Sequence, residues 1–280
     1  MKISLIEYFS YPFVWYLMVV GVLVSLCAAL FGVVLILKRF SFIGDGLSHV
    51  AFGSTAIATA LSFTDQMLLV LPVTVLCAIL LLKTGQHTRI KGDAAVAVVS
   101  VGSLALGYLI LSLNPSSSAN VAGDVCDSLF GSFAILVLTP VDVWTCVILS
   151  LFVIGLFVFL YHKIFVVTFD EDFARAIGVR ASLYHLFLAI ITAVIIVLAM
   201  KLVGSLLISA LIVFPALSAM FLFRSFKRVV LCSAVLSVLC AVIGIFGSLM
   251  LATPIGPTIV VVDMICFGFC FLVGKLCKTY

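Results

Sequence analysis

From Phe13 to Leu37 the chain runs 25 residues without one charged side chain. A helix of that length is about 37 Å long, enough to cross a hydrocarbon core of about 30 Å. The run is longer than the apolar centre of a signal peptide, and no small-x-small cleavage site follows it, so it reads as a first membrane span. The pattern then recurs. Apolar runs at Phe13–Leu37, Phe42–Leu61, Met67–Leu82, Ala94–Leu113, Val141–Tyr161, Leu183–Met200, Gly204–Phe223, Val229–Leu251 and Thr258–Val273 make nine predicted spans. With 65% hydrophobic and 9% charged residues and a mean hydropathy of +1.45, no aqueous fold could hide so much apolar surface. The expected class is an all-α polytopic transmembrane helix bundle of about 8–9 spans. It fills residues 1–280 as a single domain and leaves no soluble domain over.

The basic residues orient the bundle. Lys38, Arg39, Lys83, Arg89, Lys91, Lys163, Arg175, Arg180, Arg224, Lys227, Arg228, Lys275 and Lys278 fall on one side, leaving only Lys2 and Lys201 of the 15 on the other. The positive-inside rule then puts the N-terminus outside and the C-terminus in the cytoplasm. The net charge of +4 is accounted for by this asymmetry and needs no acidic partner, nucleic acid included. The nine cysteines are scattered, with no Cys-x-x-Cys pair. They read as small apolar packing residues rather than a disulfide framework.

Two stretches test the count. Leu183 to Phe223 is 41 residues with no polar loop. A single helix there would be about 60 Å long, so it must break, and Lys201–Gly204 is the expected place. Residues 121–138 carry Asp124 and Asp127 and read as an external or re-entrant segment after the turn-rich 114–120. Pro215 sits inside a span and predicts a kink, with Ser209 and Ser218 as candidate donors to freed carbonyls.

The chemistry concentrates in Gly44-Asp45-Gly46-Leu47-Ser48-His49. Asp45 and His49 are four apart and share a helix face. Ionisable groups inside a span are costly and by default mark a substrate or ion path. A carboxylate with a neutral imidazole is a ligand pair for a divalent transition metal. Counted from Arg39 along one helix, His49 would lie about 15 Å into the membrane. Two ligands are too few for tight binding, and a twofold dimer would supply a second pair. The bland alternative is a hydrogen-bonded Asp–His pair that merely ties helices together. Asp263, in the last span, is a candidate support for the same path.

A second cluster is Thr168 to Arg180, the most charged stretch of the chain. Asp170, Glu171 and Asp172 stand at the front of a short predicted helix, with Arg175 near its end and Gly178 as C-cap. Phe169, Phe173 and Ile177 would form one apolar stripe on a helix lying at the cytoplasmic face. Resting on lipid is its simplest role. No Gly-x-x-x-x-Gly-Lys-[Ser/Thr] phosphate loop, His-Glu-x-x-His or Gly-x-Ser-x-Gly occurs anywhere in the chain.

The stretch from Arg39 to Gly53, with Asp45 and His49 in it, resembles the signature of the zinc/manganese-type ABC transporter permeases. Thr168–Val179 and Leu206–Ala219 are similar to two further blocks of that family, and Asp93–Ala97, Leu104–Gly107, Leu129–Gly131 and Gly256–Ile259 to weaker ones. The resemblance spans residues 12 to 275 in consistent order. It implies a fold similar to the permeases of vitamin B12-type importers. It also implies a homodimer in a bacterial inner membrane, working with a cytoplasmic ATP-binding subunit and an extracytoplasmic metal-binding protein. The substrate would be zinc or manganese, with iron a third candidate. No cofactor would be held permanently, and ATP would be used by the partner. By the same resemblance Asp45 and His49 are the metal-coordinating pair, and Asp170, Glu171, Phe173, Ala174, Arg175 and Gly178 belong to the coupling helix that meets the ATPase. The chain departs from the family at Gly46, where alanine is usual, and at Phe52, where proline is expected. The rival readings are a secondary transporter or cation channel using an intramembrane Asp–His relay, an intramembrane enzyme, and a non-transporting scaffold.

Overall fold

The computed structural model describes residues 12–63, 66–87, 92–113 and 140–276. The re-entrant reading of 121–138 and the turn at 114–120 lie outside them. The described residues form ten helices: α1 (Pro12–Leu37), α2 (Ile43–Ala60), α3 (Met67–His87), α4 (Gly92–Leu113), α5 (Pro140–Phe169), α6 (Glu171–Ala176), α7 (Ala181–Val203), α8 (Ser205–Leu222), α9 (Phe226–Leu251) and α10 (Ile255–Leu276). The long helices follow the order of the predicted apolar runs. Six of them (α1, α4, α5, α7, α9 and α10) are long and apolar enough to cross a membrane. α3 and α8 hold shorter apolar stretches, so the span count of 8–9 remains approximate.

The apolar surface is distributed as a lipid solvent demands. α1 is the central helix and packs on α9, α8, α5 and α7. Val14, Leu17, Val20, Val33 and Val34 along it are sealed from the surroundings. The outer faces of α4, α5 and α10 instead expose Val98, Val101, Leu113, Phe159, Phe269 and Leu272, which would be intolerable in water and is ordinary against acyl chains. Hydroxyls tie the inner helices: Ser237 Oγ of α9 donates to the Ser25 carbonyl of α1 at 2.9 Å. Between helices in lipid, packing and such hydrogen bonds replace the hydrophobic effect as glue.

The predicted break in the 41-residue run falls at Gly204, which takes φ 89 and ψ 157 between α7 and α8. That region of backbone space is essentially closed to residues with a Cβ. Pro215 lies within α8, and Ser218 Oγ donates to Phe214 O at 2.7 Å, one turn back. The carbonyl that proline leaves without its N–H partner belongs to Leu211, so Ser218 serves a different one.

The start of α2 corrects the depth expected for His49. The chain reverses over residues 38–42, with Arg39 at φ 62 and Phe40 N–H bonded back to Leu35 O at 2.9 Å. The helix begins only at Ile43. His49 is therefore about 9 Å beyond the helix start rather than about 15 Å beyond Arg39, because the turn consumes length that a continuous helix would have used for depth.

Candidate metal site

The reversal sets Asp45 in the first turn of α2. Free backbone N–H groups there favour a carboxylate. His49 follows one turn later on the same face, its Nε2 3.4 Å from Asp45 Oδ1. The Asp45 side chain is 46% exposed and that of His49 14%, so the pair opens outward from a closed floor. Ser48, between them, is fully buried and turned away, its hydroxyl donating to the Asp45 main-chain carbonyl at 2.8 Å.

α4 is the wall behind the pair. α2 and α4 approach closely because glycines face one another: a Cβ on Gly107 would stand 2.9 Å from the Cα of Gly53, and one on Gly53 2.8 Å from Ser103 O. This contact carries Ser100 to Asp45, where its hydroxyl donates to Oδ2 at 3.3 Å. Asp45 thus has one oxygen held by α4 and the other turned to His49. Phe52 is buried and meets the Gly107 position, filling the place where proline is usual in the family resembled. A Cβ on Gly46 would stand 2.6 Å from Val96 Cγ1, so alanine there would need Val96 to move.

The pair is chemically unfinished. His49 Nδ1 is buried with no hydrogen-bond partner among the described residues. The 3.4 Å between Nε2 and Oδ1 is long for a hydrogen bond. It is close to the ligand–ligand edge of a tetrahedron with bonds of about 2.1 Å, the length of zinc–imidazole and zinc–carboxylate bonds. An ion would fit between the two donors without separating them. Among the described residues no third His, Cys, Asp or Glu joins them into a metal-holding group.

The structure does not bring Asp263 to this pair. α10 packs on α8 and α9, whereas α2 packs on α4, α3, α8 and α7. Asp263 is 2% exposed, faces Cys240 of α9, and has Oδ2 buried with no hydrogen bond among the described residues.

The charged segment forms a short helix as expected. Asp170 caps α6, its Oδ1 accepting from Phe173 N–H at 2.8 Å. At the other end Gly178, at φ 83, places its own N–H 3.0 Å from Arg175 O and the Val179 N–H 2.9 Å from Ala174 O. These two bonds are a Schellman closure. Phe169, Phe173 and Ile177 are all more than half exposed, while Ala174 is sealed against Val167 and Ala181. So one face of α6 is fixed to the bundle and Phe173 and Ile177 are left uncovered, while Phe169 ends α5 and packs on Phe165 and Phe226.

Glu171 does not face outward with Phe173 and Ile177. Its Oε1 meets Arg175 at 2.5 Å, and its Oε2 lies 3.0 Å from His185 Nε2. Lys38 Nζ, from the α1–α2 corner, reaches His185 Nδ1 at 2.8 Å. Burial tends to raise the Glu171 carboxyl, but the hydrogen bonds and charges of His185 and Arg175 outweigh it and hold it below the ordinary value. Burial pulls the Lys38 ammonium down to about 8, against the upward pull of Glu171. Ser100, Lys38 and His185 were not singled out from the sequence. A lone serine in an apolar run and a histidine at a helix end carry no spacing signal that names a partner.

A model of the ABC 3 transport family matches residues 10–274. The manganese transport system membrane protein MntC of Listeria monocytogenes is 27% identical over 94% of this chain and 91% of its own length. The high-affinity zinc uptake system membrane protein ZnuB of Buchnera aphidicola is 28% identical over 93% of this chain and 95% of its own. Among solved structures, PsaBC from Streptococcus pneumoniae in complex with Fab superposes with a TM-score of 0.81 at 24% identity, covering 96% of this chain and 95% of that one.

Proposed function

The chain belongs to the ABC 3 transport family, and on that premise we propose that it is the membrane permease subunit of an importer for a divalent transition metal, zinc or manganese. Relatives matched along nearly their whole length carry the names of a manganese transport system and a zinc uptake system, which supports that substrate class. The chain has no phosphate loop, so ATP is bound and hydrolysed by a separate subunit. α6, with Phe173 and Ile177 uncovered beside the end of α5 at Phe169, is the contact for that subunit on the cytoplasmic side. An extracytoplasmic binding protein delivers the ion from the opposite side, and the C-terminus lies with the ATPase in the cytoplasm of a bacterial cell.

The observation that carries the reading is the open Asp45–His49 pair. A carboxylate and a neutral imidazole replace part of the ion's water shell, and Ser100 holds the carboxylate in place. Two donors from one chain bind weakly enough to release the ion. A second copy related by a twofold axis brings a second pair and completes four ligands during passage. A secondary transporter or channel built on the same relay would need no ATPase, and family membership favours the ATP-driven form.

The test is reconstitution with the ATP-binding subunit and the binding protein, followed by uptake of labelled zinc and manganese in competition. His49→Ala should assemble normally and accumulate no metal. Undiminished uptake by that variant would remove the site from the pathway.

A further inference from the structure

Lys38, His185 and Glu171 come from three separate elements and meet at the buried His185 ring, with the two charged partners half-buried on either side. Lys38 follows the last residue of α1, His185 sits in the first turns of α7 at 8% exposure, and Glu171 opens α6. Lys38 Nζ lies against the His185 ring, 2.8 Å from Nδ1 and 3.4 Å from Nε2. Nε2 in turn lies 3.0 Å from Glu171 Oε2. Arg175 closes the far end by binding the other oxygen of Glu171. The imidazole is the bridge: it touches both α6's carboxylate and the lysine of the α1–α2 corner.

That corner is short and stiff. Arg39 is in the left-handed region, and Arg39 N–H and Phe40 N–H are bonded to Ile36 O and Leu35 O. Asp45 follows only seven positions after Lys38. A push on α6 therefore has a polar route, through the buried His185 ring, to the base of the helix that carries the Asp45–His49 pair. Apolar contact alone would let these elements slide; a charge-assisted chain in a low-dielectric setting resists shear.

We propose that His185 is a positioning residue that locks α6 to the α1–α2 corner, so that displacement of α6 moves the start of α2 and with it the metal pair. This rests on α6 being the ATPase contact. Coupling of this kind needs a physical element shared by both sites, and the Lys38–His185–Glu171 line supplies it.

The experiment uses the full complex of permease, ATP-binding subunit and binding protein in vesicles, with zinc or manganese as the probe ion. ATP hydrolysis and metal taken up per ATP are read separately. His185→Leu keeps the bulk and removes both hydrogen bonds. It should still co-purify with the ATPase and hydrolyse ATP, while metal per ATP falls by roughly three- to thirtyfold, the span typical of such couplings. His185→Gln can accept from Lys38 and donate to Glu171, and should restore most of the loss. Lys38→Met should lower the ratio on its own, and the double variant Lys38→Met/His185→Leu should be no worse than either single one. If His185→Leu does not assemble, Lys38→Met carries the test.

An unchanged ratio in His185→Leu or Lys38→Met overturns the proposal. So does a Gln variant as impaired as the Leu one, since that would be a packing defect. The docking premise is read independently: Phe173→Asp, on the uncovered side of α6, should abolish co-purification of the ATPase. If the ATPase still co-purifies, the premise about α6 fails, whatever the ratio in the His185 variants.

Discussion

The described residues hold two carboxylate–imidazole pairs, and they are opposites. At Glu171–His185 the partners are in place: Arg175 and His185 Nε2 meet the two carboxylate oxygens, and Lys38 Nζ lies against the imidazole. At Asp45–His49 the contact is longer, 3.4 Å against 3.0 Å, Nδ1 has no partner among the described residues, and the carboxylate is nearly half exposed. The same two functional groups make a bonded contact in one place and, in the reading proposed above, an ion site in the other. What separates them is the set of bonds left unmade. A satisfied pair gains nothing from a cation and loses its hydrogen bonds to it; an unsatisfied pair gains both ligand bonds.

The contrast can be broken most directly at the open pair. His49→Ala or Asp45→Ala should abolish metal accumulation in the reconstituted complex, whereas Glu171→Gln should leave metal affinity of the permease unchanged, measured by isothermal titration with zinc. Loss of affinity in the Glu171 variant would mean that the two pairs are not distinct in role. Next in size, Gly107→Val would force α2 from α4, because even a Cβ stands 2.9 Å from the Gly53 Cα. Overpacking of this kind costs about 1–3 kcal/mol, to be read as a lower unfolding midpoint in detergent, and it should carry Ser100 away from Asp45.

Ser100→Ala should be milder and confined to the site. It removes one neutral donor to Asp45 Oδ2, and an outer partner of this type changes metal affinity by about tenfold or less when its bond is as long as 3.3 Å. Thermal stability should not move, which distinguishes it from Gly107→Val. The smallest effect belongs to the Glu171–His185 region. Gly178→Ala puts a Cβ at φ 83 and should destabilise the end of α6 by about 1 kcal/mol, seen as faster hydrogen exchange at Val179 with zinc binding untouched.

Much of this was legible along the chain. The apolar runs, the break at Gly204, the capped short helix ending at Gly178, and the shared face of Asp45 and His49 all depend on neighbours within a few residues. Their signals are local: helix periodicity, a cap hydrogen bond, a backbone conformation that only glycine tolerates. The distance expected for His49 was too long because it was counted along one helix from Arg39, although the gap between the apolar runs 13–37 and 42–61 already leaves room for the turn that Arg39 makes in the left-handed region.

By itself, then, the sequence determined that this is a helical membrane protein of the ABC 3 transport family and which acid and imidazole share a helical face. Only the packed bundle decided that Ser100 steadies Asp45 from 55 positions away, that Asp263 turns to Cys240 instead of the metal pair, and that Lys38 reaches His185 across 147 positions. The reason is physical. A hydrogen bond within one turn is dictated by backbone geometry, whereas a bond between helices exists only after the helices have chosen which small residues let them approach, and that choice is made by the whole bundle at once.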